Sequence, residues 1–260
     1  MKYAKSSLTF KTVFVISLLT YSVGGCSRHP NSAEIARIEA LGGEAVIDPG
    51  DNSVAIVRLM QPRVVDSDLE TIAKLTRLRE LYLNRTRVTD EGMKIVASLP
   101  QLRRLDLSET QIDDAGLASI ASLTRLEKLG LGSTRITDHG LQTLNSFPRM
   151  RELHLCDTRV SDAGMLHVAR LVHLRQLDLS NTKVTSRGLE RLRGLKALEL
   201  LRLQGALIDD SAVTTISAFT NMKHVDLSGT RVTSDGVAAI IKALPRAQVV
   251  WATLEASRVR

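Results

Sequence analysis

The 260-residue chain has 35 basic and 28 acidic residues, 43% hydrophobic residues and only 3% aromatics. Its formal charge of +7 includes Lys2, Lys5 and Lys11 of an N-terminal segment that reads as removable, which leaves a surplus of four. So mild a surplus, with so few rings for base stacking, excludes a nucleic-acid groove and fits a chain only weakly attracted to anionic surfaces.

Residues 1–25 read as an export signal. Lys2, Lys5 and Lys11 form a basic start, and Thr12 to Val23 is an apolar run too short to span a bilayer comfortably. Small residues Gly24 and Gly25 then precede a cysteine. The ending Val23-Gly24-Gly25-Cys26 resembles the bacterial lipobox, which implies a lipid on Cys26 and an exported, membrane-held chain in the cell envelope. The alternative is an ordinary signal peptide cut nearby; either way the destination lies outside the cytoplasm. With Cys26 acylated, Cys156 would be the one thiol left, so no intramolecular disulfide could form.

Residues 26–31 form a short polar tether, and residues 32–53 predict a cap. Ser32 is placed to start a helix through Leu41, with Ile35, Ile38 and Leu41 on one face and Gly42-Gly43 ending it. Ala45-Val46-Ile47 and Val54 to Val57 then flank the turn-forming run Asp48-Pro49-Gly50-Asp51-Asn52, which predicts a hairpin. A helix and hairpin here would cover an otherwise open first strand.

Residues 54–251 are organised by one 24-residue period. Units begin at Val54, Leu78, Leu102, Leu126, Met150, Leu174, Leu198 and Met222, and only the last gains a residue. Leu102 to Arg125, LRRLDLSETQIDDAGLASIASLTR, shows every position filled. Each unit opens LxxLxLxxT, whose alternation predicts a short strand with Leu105 and Leu107 inward and Arg104, Asp106 and Ser108 outward. A threonine follows in six units (Thr86, Thr110, Thr134, Thr158, Thr182 and Thr230), with Ala206 the exception, placed to satisfy backbone groups at the bend. The second half offers helix caps such as Thr89, Asp113 and Thr185, usually followed by an acid suited to the positive helix end. Gly92, Gly116, Gly140, Gly164, Gly188 and Gly236 mark the closest packing at each helix start. Ala247 to Trp251 predicts a last strand, with Trp251 covering the core, before a polar tail over 252–260.

The unit LxxLxLxxTx[VI]TDxGLxxLxxL resembles the leucine-rich repeat family, in the helix-backed class related to cysteine-containing repeats, with threonine in the cysteine slot. The exported, threonine-bearing version ending Leu244-Pro245 resembles the leucine-rich repeat proteins of planctomycete-type bacteria. The resemblance implies an α/β right-handed solenoid, or horseshoe, with a parallel sheet on its concave face and short helices on its convex face. It also implies a non-enzymatic module that binds a protein partner through the concave sheet, with no cofactor.

The repeat frame places one residue per strand in the central row of that face: Arg58, Tyr82, Asp106, Gly130, His154, Asp178, Arg202 and Asp226. Glu80 and Arg104 head one flanking row, and Met60, Asn84 and Ser108 the other. This polar array suits hydrogen bonding and charge complementarity with a protein whose identity the sequence does not give. A scaffold that merely spaces or coats is the second reading. The third is a hydrolase or metal protein centred on His154, Cys156 and Asp178, which share a face but have no pocket to exclude water. A row of bases, Arg87, Arg135, Arg159, Lys183 and Arg231, follows the threonines and reads as a solvated rim answering nearby acids.

Overall fold

The computed structural model describes residues 29–252. The export signal, Cys26 and the residues after 252 lie outside them. The described chain forms one ten-stranded sheet whose strands lie in sequence order. They are β1 (Glu44–Ile47), β2 (Val54–Arg58), β3 (Glu80–Tyr82), β4 (Arg104–Asp106), β5 (Lys128–Gly130), β6 (Glu152–His154), β7 (Gln176–Asp178), β8 (Leu200–Arg202), β9 (His224–Asp226) and β10 (Gln248–Val250). β1 and β2 form an antiparallel hairpin, and every later pair is parallel. The register is 24 residues per strand, so Leu81 pairs with Leu105 and Leu105 with Leu129. Equivalent side chains therefore stack in rows.

The inward leucines of the strands and the apolar face of each backing segment fuse into one core running from Ile35 to Leu244. Burying a leucine side chain stabilises by about 1.5–3 kcal/mol. No unit has an inside of its own, so that gain exists only between neighbours. The backing segments are short: α2 (Leu69–Ala73), α3 (Asp90–Val96), α4 (Asp114–Ser119), α5 (Met165–Val168), α6 (Ser186–Glu190), α7 (Val213–Ser217) and the longer α8 (Ser234–Ala243). Gly140–Ser146 is a 3₁₀ segment, and 3₁₀ turns also lead into α2 and α7 and follow α6. A 3₁₀ turn covers about 2.0 Å per residue against about 1.5 Å in an α-helix, which lets few residues span the back of a strand.

The cap differs from expectation at its start. Helix α1 (Ser32–Ala40) begins one residue early, and no side chain caps it; Asn31 holds the cap position, and the Ser32 amide donates to the His29 carbonyl at 2.9 Å. Its end follows the sequence signal. Gly42 has φ +74°, and the Gly42 and Gly43 amides donate back to the Glu39 and Ile38 carbonyls, the five-to-two and six-to-one pattern of a glycine C-cap. Arg37 on this helix reaches the buried Asp68 carboxylate at 2.9 Å and ties cap to solenoid.

The threonines satisfy the bend. Each is buried, and its hydroxyl donates to the carbonyl three residues back at 2.6–2.7 Å, as Thr110 does to Leu107. Ala206 has no hydroxyl to offer, and the Leu203 carbonyl is left with the Ala206 amide alone from that residue.

The acids after the caps have a different role from the one expected. Rather than simply facing their own helix end, they reach across to the next unit. The Asp114 carboxylate accepts the Thr137 amide at 2.8 Å and its hydroxyl at 2.5 Å. Asp66, Asp138, Asp162 and Asp210 bind Thr89, Ser161, Thr185 and Thr233 in the same way. Thr89 makes no cap bond to its own helix, whereas Thr185 and Thr233 hold the bridge and still accept the Arg187 and Gly236 amides of theirs. The repeated glycine makes room for this bridge: a Cβ on Gly116 would overlap the carboxylate of Asp90, and one on Gly164 would lie 2.5 Å from that of Asp138.

At the far end, β10 pairs with β9, and the Trp251 indole N–H donates to the Val232 carbonyl at 3.0 Å while its ring packs on the core.

Candidate functional site

The outward face of the sheet presents the expected central row, paired in order from Arg58 through Tyr82, Asp106, Gly130, His154, Asp178 and Arg202 to Asp226. The strands from β3 onward are three residues long, so each offers two outward side chains with its inward leucine or valine between them. The backbone is held on both sides, which makes the face rigid before any partner arrives.

Its most organised part lies at the N-terminal end. The Tyr82 ring sits between two guanidinium groups, with Arg58 at 5.5 Å and Arg104 at 5.2 Å from its centroid. The Tyr82 hydroxyl donates to Glu80 at 2.8 Å, and Glu44 of β1 holds Arg58 at 2.8 Å. Burial, then the Glu80 bond, push the Tyr82 phenol up to about 12, so it remains a neutral donor. Such stacking fixes three long side chains in one arrangement.

Gly130 leaves the middle of the central row without a side chain. A shallow hollow of about 30 Å³ results, lined by Arg104, Asp106, Lys128, Glu152 and His154. Lys128 pairs with Glu152 at 2.6 Å, while the Asp106 carboxylate accepts both the amide and the hydroxyl of Ser108. Further along, Asp178 and Arg202 approach to 3.6 Å, and the Asp226 carboxylate accepts the Ser228 amide at 2.9 Å. The Asp178 carboxylate also accepts the Ser180 amide at 3.0 Å, so this end of the row is held by one ion pair and two turn bonds.

The arrangement gives no nucleophile at Cys156. Burial, with the Asp178 and Asp157 charges adding to it, pushes the thiol up to about 11, so at neutral pH it carries its proton. Reactive cysteines need the opposite environment. Among the described residues, no three His, Cys, Asp or Glu side chains converge as a metal-holding group.

The two edges of the sheet differ. On the loops that enter the strands, acids and bases alternate: Glu127 lies between Arg103 at 3.5 Å and Arg151 at 3.8 Å, and Glu199 between Arg175 at 3.5 Å and Lys223 at 2.7 Å. The Lys223 bond chiefly holds the Glu199 carboxyl below the usual range. On the opposite edge, the exposed bases Arg87, Arg135, Arg159, Lys183 and Arg231 stand among the bridging aspartates. The turns on this side also hold a row of left-handed backbone that the repeat pattern did not predict. Arg85, Glu109, Ser133, Asp157 and Asn181 have φ from 54° to 65°. The signal was present in Gly205 and Gly229, which hold the same position in the next two units and also have positive φ.

Two leucine rich repeat family models match the chain, one over residues 76–136 and the other over 171–192 and 220–240. Among solved structures, the chain is similar to an internalin (inlF) from Listeria monocytogenes, 24% identical with a TM-score of 0.61, over 80% of this chain and 57% of that one. It is also similar to an internalin C2 (inlC2) from the same organism, 21% identical with a TM-score of 0.62, over 86% of this chain and 93% of that one. This chain therefore spans little more than half of the first internalin's length. No curated protein matches it. At these identities the likeness is one of fold, and the fold is a leucine-rich repeat solenoid.

Proposed function

We propose that this solenoid is a non-enzymatic, membrane-anchored protein-interaction module that binds its partner through the outward sheet face. The observation that carries the reading is the Arg58–Tyr82–Arg104 stack. Tyrosine and arginine dominate binding hot spots, and a stacked, ion-paired cluster loses little side-chain freedom on association. Glu80, Asp106, His154, Asp178, Arg202 and Asp226 extend the same face as a polar field that sets register and specificity. Cys26 is proposed to carry the lipid, on the strength of the lipobox-like ending. Bacterial lipidation adds several chains, enough for stable anchoring.

Crosslinking and affinity capture from native envelopes tests the face, with Tyr82→Ala/Asp106→Ala/Asp178→Ala/Arg202→Ala as the control. A partner recovered with the wild type and lost with this variant supports the reading; identical capture sinks it in favour of a scaffold. Cys26→Ser tests the anchor by fractionation. Release from membranes is expected, and unchanged retention removes the lipid from the account.

A further inference from the structure

The net surplus of four conceals a separation of charge across the solenoid. The edge built by the strand-entering loops carries bases beyond the ion-paired row. Arg125 rests on the Gln101 amide and Arg170 on that of Asn145, neither on a carboxylate. Arg149 and Arg151 line an open cleft with His173 and Glu127. Because Glu127 and Glu199 are each shared between two cations, the edge stays positive even where it is paired. Val172, 58% exposed, stands at the tip of the loop between Arg170 and Arg175. On the opposite edge the exposed bases Arg87, Arg135, Arg159, Lys183 and Arg231 are offset by the bridging aspartates Asp66, Asp90, Asp114, Asp138, Asp162 and Asp210, so that edge carries no comparable excess of positive charge.

The chain enters the fold at this same basic edge. Pro30 and Asn31 line an open cleft of about 290 Å³ together with Lys74, Arg77 and Asp51, where Lys74 faces Glu34 at 3.8 Å and Arg77 pairs with Asp51 at 3.0 Å. Cys26 lies four residues before Pro30, a reach of at most ~14 Å.

We infer that the strand-entering edge docks on an anionic phospholipid bilayer. The inference rests on the proposed lipid at Cys26, which would bring this edge, and not the aspartate-lined one, to the headgroups. Three features select a membrane over a soluble polyanion. The cations Arg103, Arg151, Arg175 and Lys223 stand on separate strand-entering loops as a row along the edge. An exposed valine projects from its middle. The aromatics of these loops, Phe147 and Phe219, are fully buried, so no ring is available for stacking on a nucleic acid. Among the described residues no helix is long and apolar enough to cross a membrane, so the contact would be peripheral. Docked this way, the strands rise from the bilayer and the Tyr82 face opens sideways to partners.

The test is partitioning of the full chain into phosphatidylcholine vesicles with and without phosphatidylglycerol. Each base at an anionic leaflet raises partitioning roughly fivefold. Arg125→Glu/Arg149→Glu/Arg151→Glu/Arg175→Glu should therefore cost on the order of a hundredfold or more of the preference for anionic vesicles. Arg87→Glu/Arg135→Glu/Arg159→Glu/Lys183→Glu, the same charge change on the other edge, should retain most of it. Arg125→Gln/Arg149→Gln disturbs no ion pair among the described residues and so keeps the fold; it should lose roughly twentyfold. Equal wild-type partitioning into both vesicles, or equal loss in the two reversals, overturns the inference. So does tighter binding to soluble polyphosphate than to vesicles of matched charge, which would point to a polymer. All chains in this comparison keep Cys26, so failure here leaves the anchor to be judged separately by Cys26→Ser.

Discussion

Two junctions in the same solenoid solve one packing problem in opposite ways. Between the units that begin at Met150 and Leu174, Asp162 accepts the Thr185 amide and hydroxyl, and Gly188 leaves space for its carboxylate. One junction later the roles are exchanged. Ser186 stands in the acid position, its hydroxyl accepts the Asp209 amide at 3.0 Å and donates to the Asp209 carboxylate at 2.7 Å, and Ala212 replaces the glycine. The shorter serine leaves room for a methyl group. Acid, cap and glycine are therefore one unit of three residues spread over two repeats. The junction of Asp90 with Asp113 breaks the rule: Asp90 accepts the Asp113 amide at 3.0 Å, but its second oxygen faces another carboxylate where the others meet a hydroxyl. Burial, followed by the Asp113 charge, raises the Asp90 pKa.

The largest expected effect comes from refilling the glycine space. Gly116→Leu forces a side chain into the Asp90 carboxylate and should cost about 3 kcal/mol by overpacking, read as a lower melting temperature; an unchanged one would remove the packing account. Next, Ser186→Asp alone sets a carboxylate against both Asp209 and the Ala212 methyl, and about 2 kcal/mol should be lost. Adding Asp209→Thr and Ala212→Gly rebuilds the common junction and should restore most of that loss. Simple additivity of the three changes would show that they do not act together. The smallest effect has the opposite sign. Asp113→Thr gives Asp90 the hydroxyl found at the other junctions and should stabilise by about 0.5 kcal/mol at neutral pH. A raised native pKa means that the native state holds its proton longer, so the wild-type junction is best below the unfolded value and loses stability as pH rises through the native one. Denaturant titrations should show the gain shrinking towards acid pH; a gain independent of pH would place its origin elsewhere.

Much of the fold was legible because a 24-residue period turns one local pattern into a global register. Leu105 inward and Asp106 outward, a pattern repeated along the chain, leave a stacked sheet as the only burial available. The threonine hydroxyls were also readable, since their partner lies three residues back. The aspartate bridges were not. Asp114 and Thr137 are 23 residues apart, and an acid at a helix start already has a sufficient local explanation in the helix dipole. The candidate face was legible as a row, because alternation fixes which side chains point outward. Its focus at Tyr82 was not, since stacking with Arg58 and Arg104 depends on distances across strands. Cys156 shows the reverse case: residue types alone allowed a nucleophile, and burial beside two carboxylates removed it.

What the sequence determined by itself is therefore the period, the inward and outward faces and the strand order, all of which follow from apolar spacing. Only the tertiary structure decided why glycine recurs, which acids hold neighbouring units together, and where charge gathers on the two edges. Those properties belong to pairs of residues one unit apart, and such pairs come into contact only when the solenoid closes each repeat onto the next.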